Sequence, residues 1–306
     1  MNVGFGGRFG MEQYTRTDLA CESLGDFPKK GNSAKWQRNR VGRFRICRLK
    51  IDSQSAAEDF GKPMGVYVTV ECGKIGRLSD GDSQLLTHLL AGELGGMSER
   101  LTGKRRDADF GVFVAGLGNA ELTADAIGPK TVSRLTATRH LREHEGKLYR
   151  EIGCSALSAL APGVLGQTGI ETLELLRGAV RAVKPDVVLV VDALAARSCD
   201  RLASTVQITD SGISPGSGVG NHRAAITRET LGVPVITLGV PTVVNSATLV
   251  YDALQEAGIE EISEPLRKVL NSGKSFFVSP KECDVITEQV SKLLADSINT
   301  AFTGIL

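Results

Sequence analysis

Residues 184–192 read Lys-Pro-Asp-Val-Val-Leu-Val-Val-Asp, and this stretch decides the fold class. The run Val187 to Val191 is apolar at every position, so a strand made from it has to be covered on both faces. Upstream, residues 170–183 carry apolar positions at helical spacing, and Pro185 closes that helix. Two runs of the same kind lie on either side. Phe110 to Ala115 (FGVFVA) leads into Gly116-Leu117-Gly118-Asn119 and a helix start near Thr123. Pro234 to Gly239 (PVITLG) leads into a helix candidate at 245–257. Doubly apolar strands alternating with helices predict an α/β sandwich in which a mostly parallel sheet is flanked by helices.

The rest of the chain fits around that frame. Residues 43–51 (RFRICRLKI) and 65–71 (GVYVTVE) read as strands, the second strongly β-branched. Residues 82–101 are helical, with Leu85, Leu86, Leu89 and Leu90 as the apolar stripe, and 280–301 form an amphipathic helix with Val285, Val290, Leu293 and Leu294 inward. Gly4 to Gly10 (GFGGRFG) cannot hold a helix, and residues 1–15 are expected to be a flexible arm ahead of a single domain over 16–306.

The 306 residues carry 36 Lys+Arg against 35 Asp+Glu, a net charge of +1, which argues against a polybasic coat protein or an acidic tail. No direct nucleic-acid partner is therefore expected. Six cysteines without a C-x-x-C pair suit a reducing compartment. No apolar run reaches membrane length, and the N-terminus lacks the pattern of a secretory signal. A cytoplasmic protein without membrane contact is the expectation.

Reacting groups in open α/β sheets gather beyond the carboxyl ends of the strands. Asp192 follows the Val/Leu run directly, where partial burial raises a carboxyl pKa unless a partner compensates; its plainer role is to cap the following turn. Asp125 sits in a helix-start segment after the neighbouring strand, where a first-turn acid is also ordinary. Together they make a candidate carboxylate pair, one acid taking a proton from water and the other donating. Backbone N–H groups of Gly116 to Asn119 (Gly118 and Asn119 among them), or of the 211–221 loop, are candidates for an oxyanion site, and Arg197 or Arg223 for reading an acidic substrate residue. His222, closing a Gly/Ser-rich loop, is the histidine kept as a site candidate, whereas His140 and His144 read as a solvated face. The Gly116–Asn119 run misses the third glycine of a dinucleotide fingerprint, no Walker motif occurs, and Ser198 or Cys199 lacks the setting of a nucleophile. No cofactor is expected.

These motifs, taken with Arg16-Thr17-Asp18-Leu19-Ala20, Thr123-Ala124-Asp125-Ala126-Ile127-Gly128-Pro129, Val191-Asp192-Ala193-Leu194-Ala195-Ala196-Arg197 and Gly218-Val219-Gly220-Asn221-His222-Arg223, resemble the germination (spore) proteases of spore-forming Firmicutes. The resemblance runs in order from about residue 14 to about residue 258. It implies an endopeptidase that begins the degradation of small acid-soluble spore proteins, located in the spore core. It also implies a homotetramer made as a zymogen, an α/β sandwich similar to that of hydrogenase maturation proteases, and an aspartate-dependent mechanism using Asp125 and Asp192. The stretch before Arg16 is short and glycine-rich, unlike the acidic-hydrophobic propeptide of Bacillus-like members. Two other readings accompany this one: a metal-dependent peptidase using the same acids with His222, and an inactive relative that only binds.

Overall fold

The architecture comes from a computed structural model that describes residues 17–23, 34–216, 223–259, 263–270 and 276–304. The glycine-rich arm, Arg16, Asn221 and His222 fall outside them. Among the described residues nine strands form one sheet: β1 Ala34–Val41, β2 Phe44–Ile51, β3 Gly65–Glu71, β4 Gly111–Gly116, β5 Ala156–Leu160, β6 Val187–Ala196, β7 Thr205–Thr209, β8 Val235–Asn245 and β9 Phe277–Val278. Their order is β1-β2-β3-β7-β8-β6-β4-β5, with β9 beside β8.

The doubly apolar runs are the parallel part. β4 pairs with β5 and β6, and β6 with β8, all parallel. The other pairings, β1–β2, β2–β3, β3–β7, β7–β8 and β8–β9, are antiparallel, so the sheet is mixed. Its antiparallel half follows from short connections: β1 meets β2 across Gly42 and Arg43, far too little chain for a parallel crossover. Polar β1 (AKWQRNRV) has no apolar stripe to mark it as a strand, and β7 (TVQIT) alternates polar and apolar residues over only five positions.

β6 alternates between two cores. Val187, Leu189 and Val191 meet Leu86, Leu90 and Leu94 of the Asp80–Thr102 helix and Val290 and Leu294 of the Cys283–Phe302 helix. Val188 and Val190 meet Leu173 and Leu176 of the Thr172–Val183 helix on the other face. Each such side chain removes apolar area worth about 1.5–3 kcal/mol. Two positions expected to face inward do not: Leu85 is 38% exposed and Val285 51%. The inward stripe of the first helix instead runs on through Leu94 and Met97.

The largest departure concerns strand length. β6 does not stop at Asp192 and β8 does not stop at Gly239; they stay paired from Asp192↔Gly239 to Ala196↔Val244, with a register shift between Leu194 and Ala195. The neighbour β4, in contrast, ends at Gly116 opposite Val191. Asp192 therefore lies within a strand, one residue beyond the level where its other partner has left the sheet. Among the described residues no helix is long and apolar enough to cross a membrane.

Candidate active site

The site forms where β4 leaves the sheet. The chain runs outward over Leu117–Leu122, returns as a tight turn over Thr123–Asp125, and enters the Ile127–Val132 helix. A methyl group on Gly116 would overlap the Gly128 carbonyl, and one on Gly128 would overlap Leu117, so two glycines let this helix start lie backbone to backbone on the strand end. Gly118 has φ +108°, and any side chain there would collide with the Asp125 carbonyl.

Three bonds fix the turn. The Asp125 N–H donates to the Leu122 carbonyl (2.7 Å), the Thr242 hydroxyl to the Ala124 carbonyl (2.7 Å) and the Thr287 hydroxyl to the Thr123 carbonyl (3.0 Å). β8 and the last helix thereby aim the Asp125 side chain. The Asn119 N–H donates to Asp125 Oδ2 at 2.8 Å.

Asp192 is 6% exposed. Its Oδ1 accepts the Ala193 N–H at 2.9 Å, a bond within the strand, so it caps neither a turn nor a helix. Both acids line a cavity of about 470 Å³ shared with Asp18, Gly118, Arg223, Thr242 and Phe277. Burial pushes the Asp125 carboxyl above the ordinary carboxylate range, while the Asn119 N–H and the Arg223 charge pull it partway back. Asp192 is driven well above that range, first by burial, then by the negative charges of Asp125 and Asp18; the Ala193 N–H and Arg223 oppose this only in part.

Asp18 is the residue that strand-end reasoning misses. Its N–H donates to the Ala195 carbonyl (2.9 Å) and its Oδ2 accepts the Ala195 N–H (2.8 Å). Gln207 on β7 holds the same segment, accepting the Ala20 N–H and donating to the Asp18 carbonyl. No periodicity surrounds Asp18, and its membership of the Arg16–Ala20 motif is the only sign of it in the sequence. Thr242 is visible in the stretch after the third apolar run, but nothing in that stretch marks it as the anchor of the Asp125 turn.

The other candidates separate. Gly118 and Arg223 line the cavity with the acids. Within the Gly116–Asn119 run, the Leu117 N–H is taken by the Val191 carbonyl and the Asn119 N–H by Asp125. The Gly118 N–H has no acceptor among the described residues, and Gly118 lines the cavity. The Asn119 side chain turns to Gln167 instead. Arg197 lies elsewhere, lining a second hollow with Ser198, Arg201 and Glu71, because β6 carries it five residues past Asp192. His140 and His144 are exposed, as expected of a solvated face.

Residues 26–257 match the family model described as germination protease. A germination protease of Clostridium acetobutylicum is 37% identical over 312 residues, covering 94% of this chain and 94% of the relative. One from Caldanaerobacter subterraneus subsp. tengcongensis is 38% identical over 94% of this chain and 93% of the relative. One from Priestia megaterium is 38% identical over 95% of this chain and 82% of the relative. Among solved structures, a [NiFe] hydrogenase maturation protease, HycI, of Thermococcus kodakarensis aligns with a TM-score of 0.33 and 17% identity, covering 67% of this chain and 99% of the other. The matched span and the identity over nearly the whole chain give one conclusion: the chain belongs to the germination protease family.

Proposed function

We propose that this protease is an endopeptidase that begins the breakdown of small acid-soluble spore proteins at germination, using Asp125 and Asp192 as a water-activating pair. The observation behind the reading is that both acids line one cavity and the charge of Asp125 raises the proton affinity of buried Asp192. In this reading Asp192 holds the shared proton, and Asp125, which accepts the Asn119 N–H and is less strongly raised, is the ionised partner.

A peptide entering the cavity presents its scissile carbonyl to protonated Asp192, which donates a hydrogen bond to the oxygen. Asp125 removes a proton from a water held between the acids as the water oxygen bonds to the carbonyl carbon. The Gly118 N–H supports the oxyanion that develops. The oxyanion then re-forms the carbonyl as the C–N bond breaks, the proton on Asp125 passes to the leaving nitrogen, and Asp125 is again ionised while Asp192 has kept its proton throughout. In this reading Arg223, which lines the cavity, reads an acidic residue beside the cut. The resemblance to the family further supports a homotetramer, made as a zymogen and active in the spore core.

The test is incubation of the wild type, Asp125→Asn and Asp192→Asn with a purified small acid-soluble spore protein, followed by gel electrophoresis. Each variant is expected to lose at least about 100-fold in rate, the lower end for a positioned acid or base. Activity within about tenfold of wild type in either variant removes the pair from the mechanism.

A further inference from the structure

The balanced charge of the whole chain conceals a local segregation. From Ala34 to Ile51 the β1–β2 hairpin carries seven Lys or Arg residues and no Asp or Glu. β1 is the edge of the sheet, and its residues from Lys35 to Val41 are exposed. The register sets Trp36 opposite Leu49, Arg38 opposite Cys47 and Arg40 opposite Arg45, so Trp36, Arg38, Arg40 and Arg45 share one face.

Two like charges directly opposite each other weaken a strand pair. Arg45 is offset by Glu71 at 3.0 Å. Among the described residues Arg40 donates to the Gly42 carbonyl (3.1 Å), and the Arg38 guanidinium lies 5.1 Å over the Trp36 ring. Among the described residues neither has a carboxylate within ion-pair reach. The same face is hollowed: a trough of about 730 Å³ is lined by Arg38, Arg45, Arg197 and Arg201. An adjoining one of about 380 Å³ adds Arg40 and Arg43. Of its three acids, Glu71 bridges Arg45 and Arg201 (2.6 Å) and Glu22 accepts the Arg197 and Ser198 N–H groups (2.9 and 3.0 Å), leaving exposed Asp200 against the Arg38 and Arg197 side chains and Lys74.

Charges on an edge strand also deter sheet-to-sheet pairing. That role explains neither an arginine-lined hollow beneath the edge nor a tryptophan left 49% exposed among the arginines. We propose that this face binds the phosphodiester backbone of nucleic acid, with Trp36 as a stacking platform for a base. Guanidinium groups match phosphate oxygens in pairs, and an aromatic ring interleaved with them gives a base its flat partner. An acidic peptide would satisfy the arginines and leave the ring without a role. The face is separate from the acid pair: Arg197 lies about 16 Å along an extended strand from Asp192. The inference does not depend on the proteolytic mechanism.

The experiment measures binding of a fluorescently labelled DNA oligonucleotide, single-stranded and duplex, to the full chain by anisotropy across a salt series. Wild type is compared with the Arg38→Ala/Arg40→Ala double variant and with Trp36→Ala. Affinity is expected to fall steeply with salt, and the double variant's log–log slope to flatten by about 0.7–0.9 for each arginine removed. Trp36→Ala is expected to weaken single-strand binding by about tenfold. Cleavage of the spore protein should stay at the wild-type rate in both variants, which checks that they fold; should the double variant fail to fold, Arg40→Gln carries the slope test alone. The proposal is overturned by absence of binding at low salt or by an unchanged slope. It is equally overturned if polyglutamate displaces the oligonucleotide at equal charge concentration, which would assign the face to an acidic protein.

Discussion

Asp192 is where the chain departs furthest from ordinary carboxylate chemistry. A buried acid with two negative neighbours binds its proton more tightly folded than unfolded. Its contribution to stability is therefore whole below the ordinary carboxylate range and is lost as pH rises through the elevated folded value. Asp192→Asn removes that loss, since the amide oxygen can still accept the Ala193 N–H. The variant is expected to melt above the wild type at alkaline pH, by about 2–4 °C per kcal/mol recovered, and to match it in acid. Thermal melts across pH check this; a wild type that melts higher at alkaline pH would show that the ionised carboxylate is structurally wanted. The same asymmetry sets the pH profile of cleavage. In the proposed mechanism, cleavage is expected to fall in acid as Asp125 is protonated and in alkali as Asp192 loses its proton. Asp125→Asn should be inactive at every pH tested, which a general surface-charge effect would not produce.

Among the elements, the turn Thr123–Asp125 carries the site, and its anchors are testable apart from the acids. Thr242→Val removes the donor to the Ala124 carbonyl and leaves that buried oxygen unmet, a cost of about 1–3 kcal/mol. The cleavage rate should fall together with melting temperature, and Thr242→Ser should restore both. A Thr242→Val enzyme of normal rate would show that the turn needs no anchor on β8. Gly118→Ala is expected to be inactive, because the added methyl displaces the Asp125 carbonyl at a position already at positive φ. This region also shows where sequence reading stops. The doubly apolar run 187–191 announces a covered strand, and the acid after it announces a site. The run does not reveal that β6 continues to Ala196, because residues 193–196 (ALAA) have no β-branched character and are held by β8 on one side and Asp18 on the other. A pairing partner, not local propensity, extends the strand.

At the scale of the molecule, three strands of the parallel half, β4, β6 and β8, were legible because burial on both faces writes itself into continuous apolar runs, whereas β5 (ALSAL), half-buried at the sheet's end, was not. The antiparallel half was only partly so. β1 is an exposed polar edge, and only its hydrogen bonds to β2 make it a strand. Likewise the cavity joins residues as distant as Asp18, Arg223 and Phe277, a convergence that only the assembled fold produces. The metal-dependent reading is tested on the whole enzyme: chelation with EDTA or phenanthroline is expected to leave the cleavage rate unchanged. Loss restored by added metal would transfer the acids to a metal site. The account as a whole rests on one proton held by one buried carboxyl, and NMR titration of the protein with its aspartate carboxyl carbons labelled observes that proton. We expect one aspartate resonance to remain in the protonated position far above the ordinary carboxylate range, and to vanish in Asp192→Asn. If every aspartate instead ionises in the ordinary acidic range, no shared proton exists and the paired-acid mechanism is wrong.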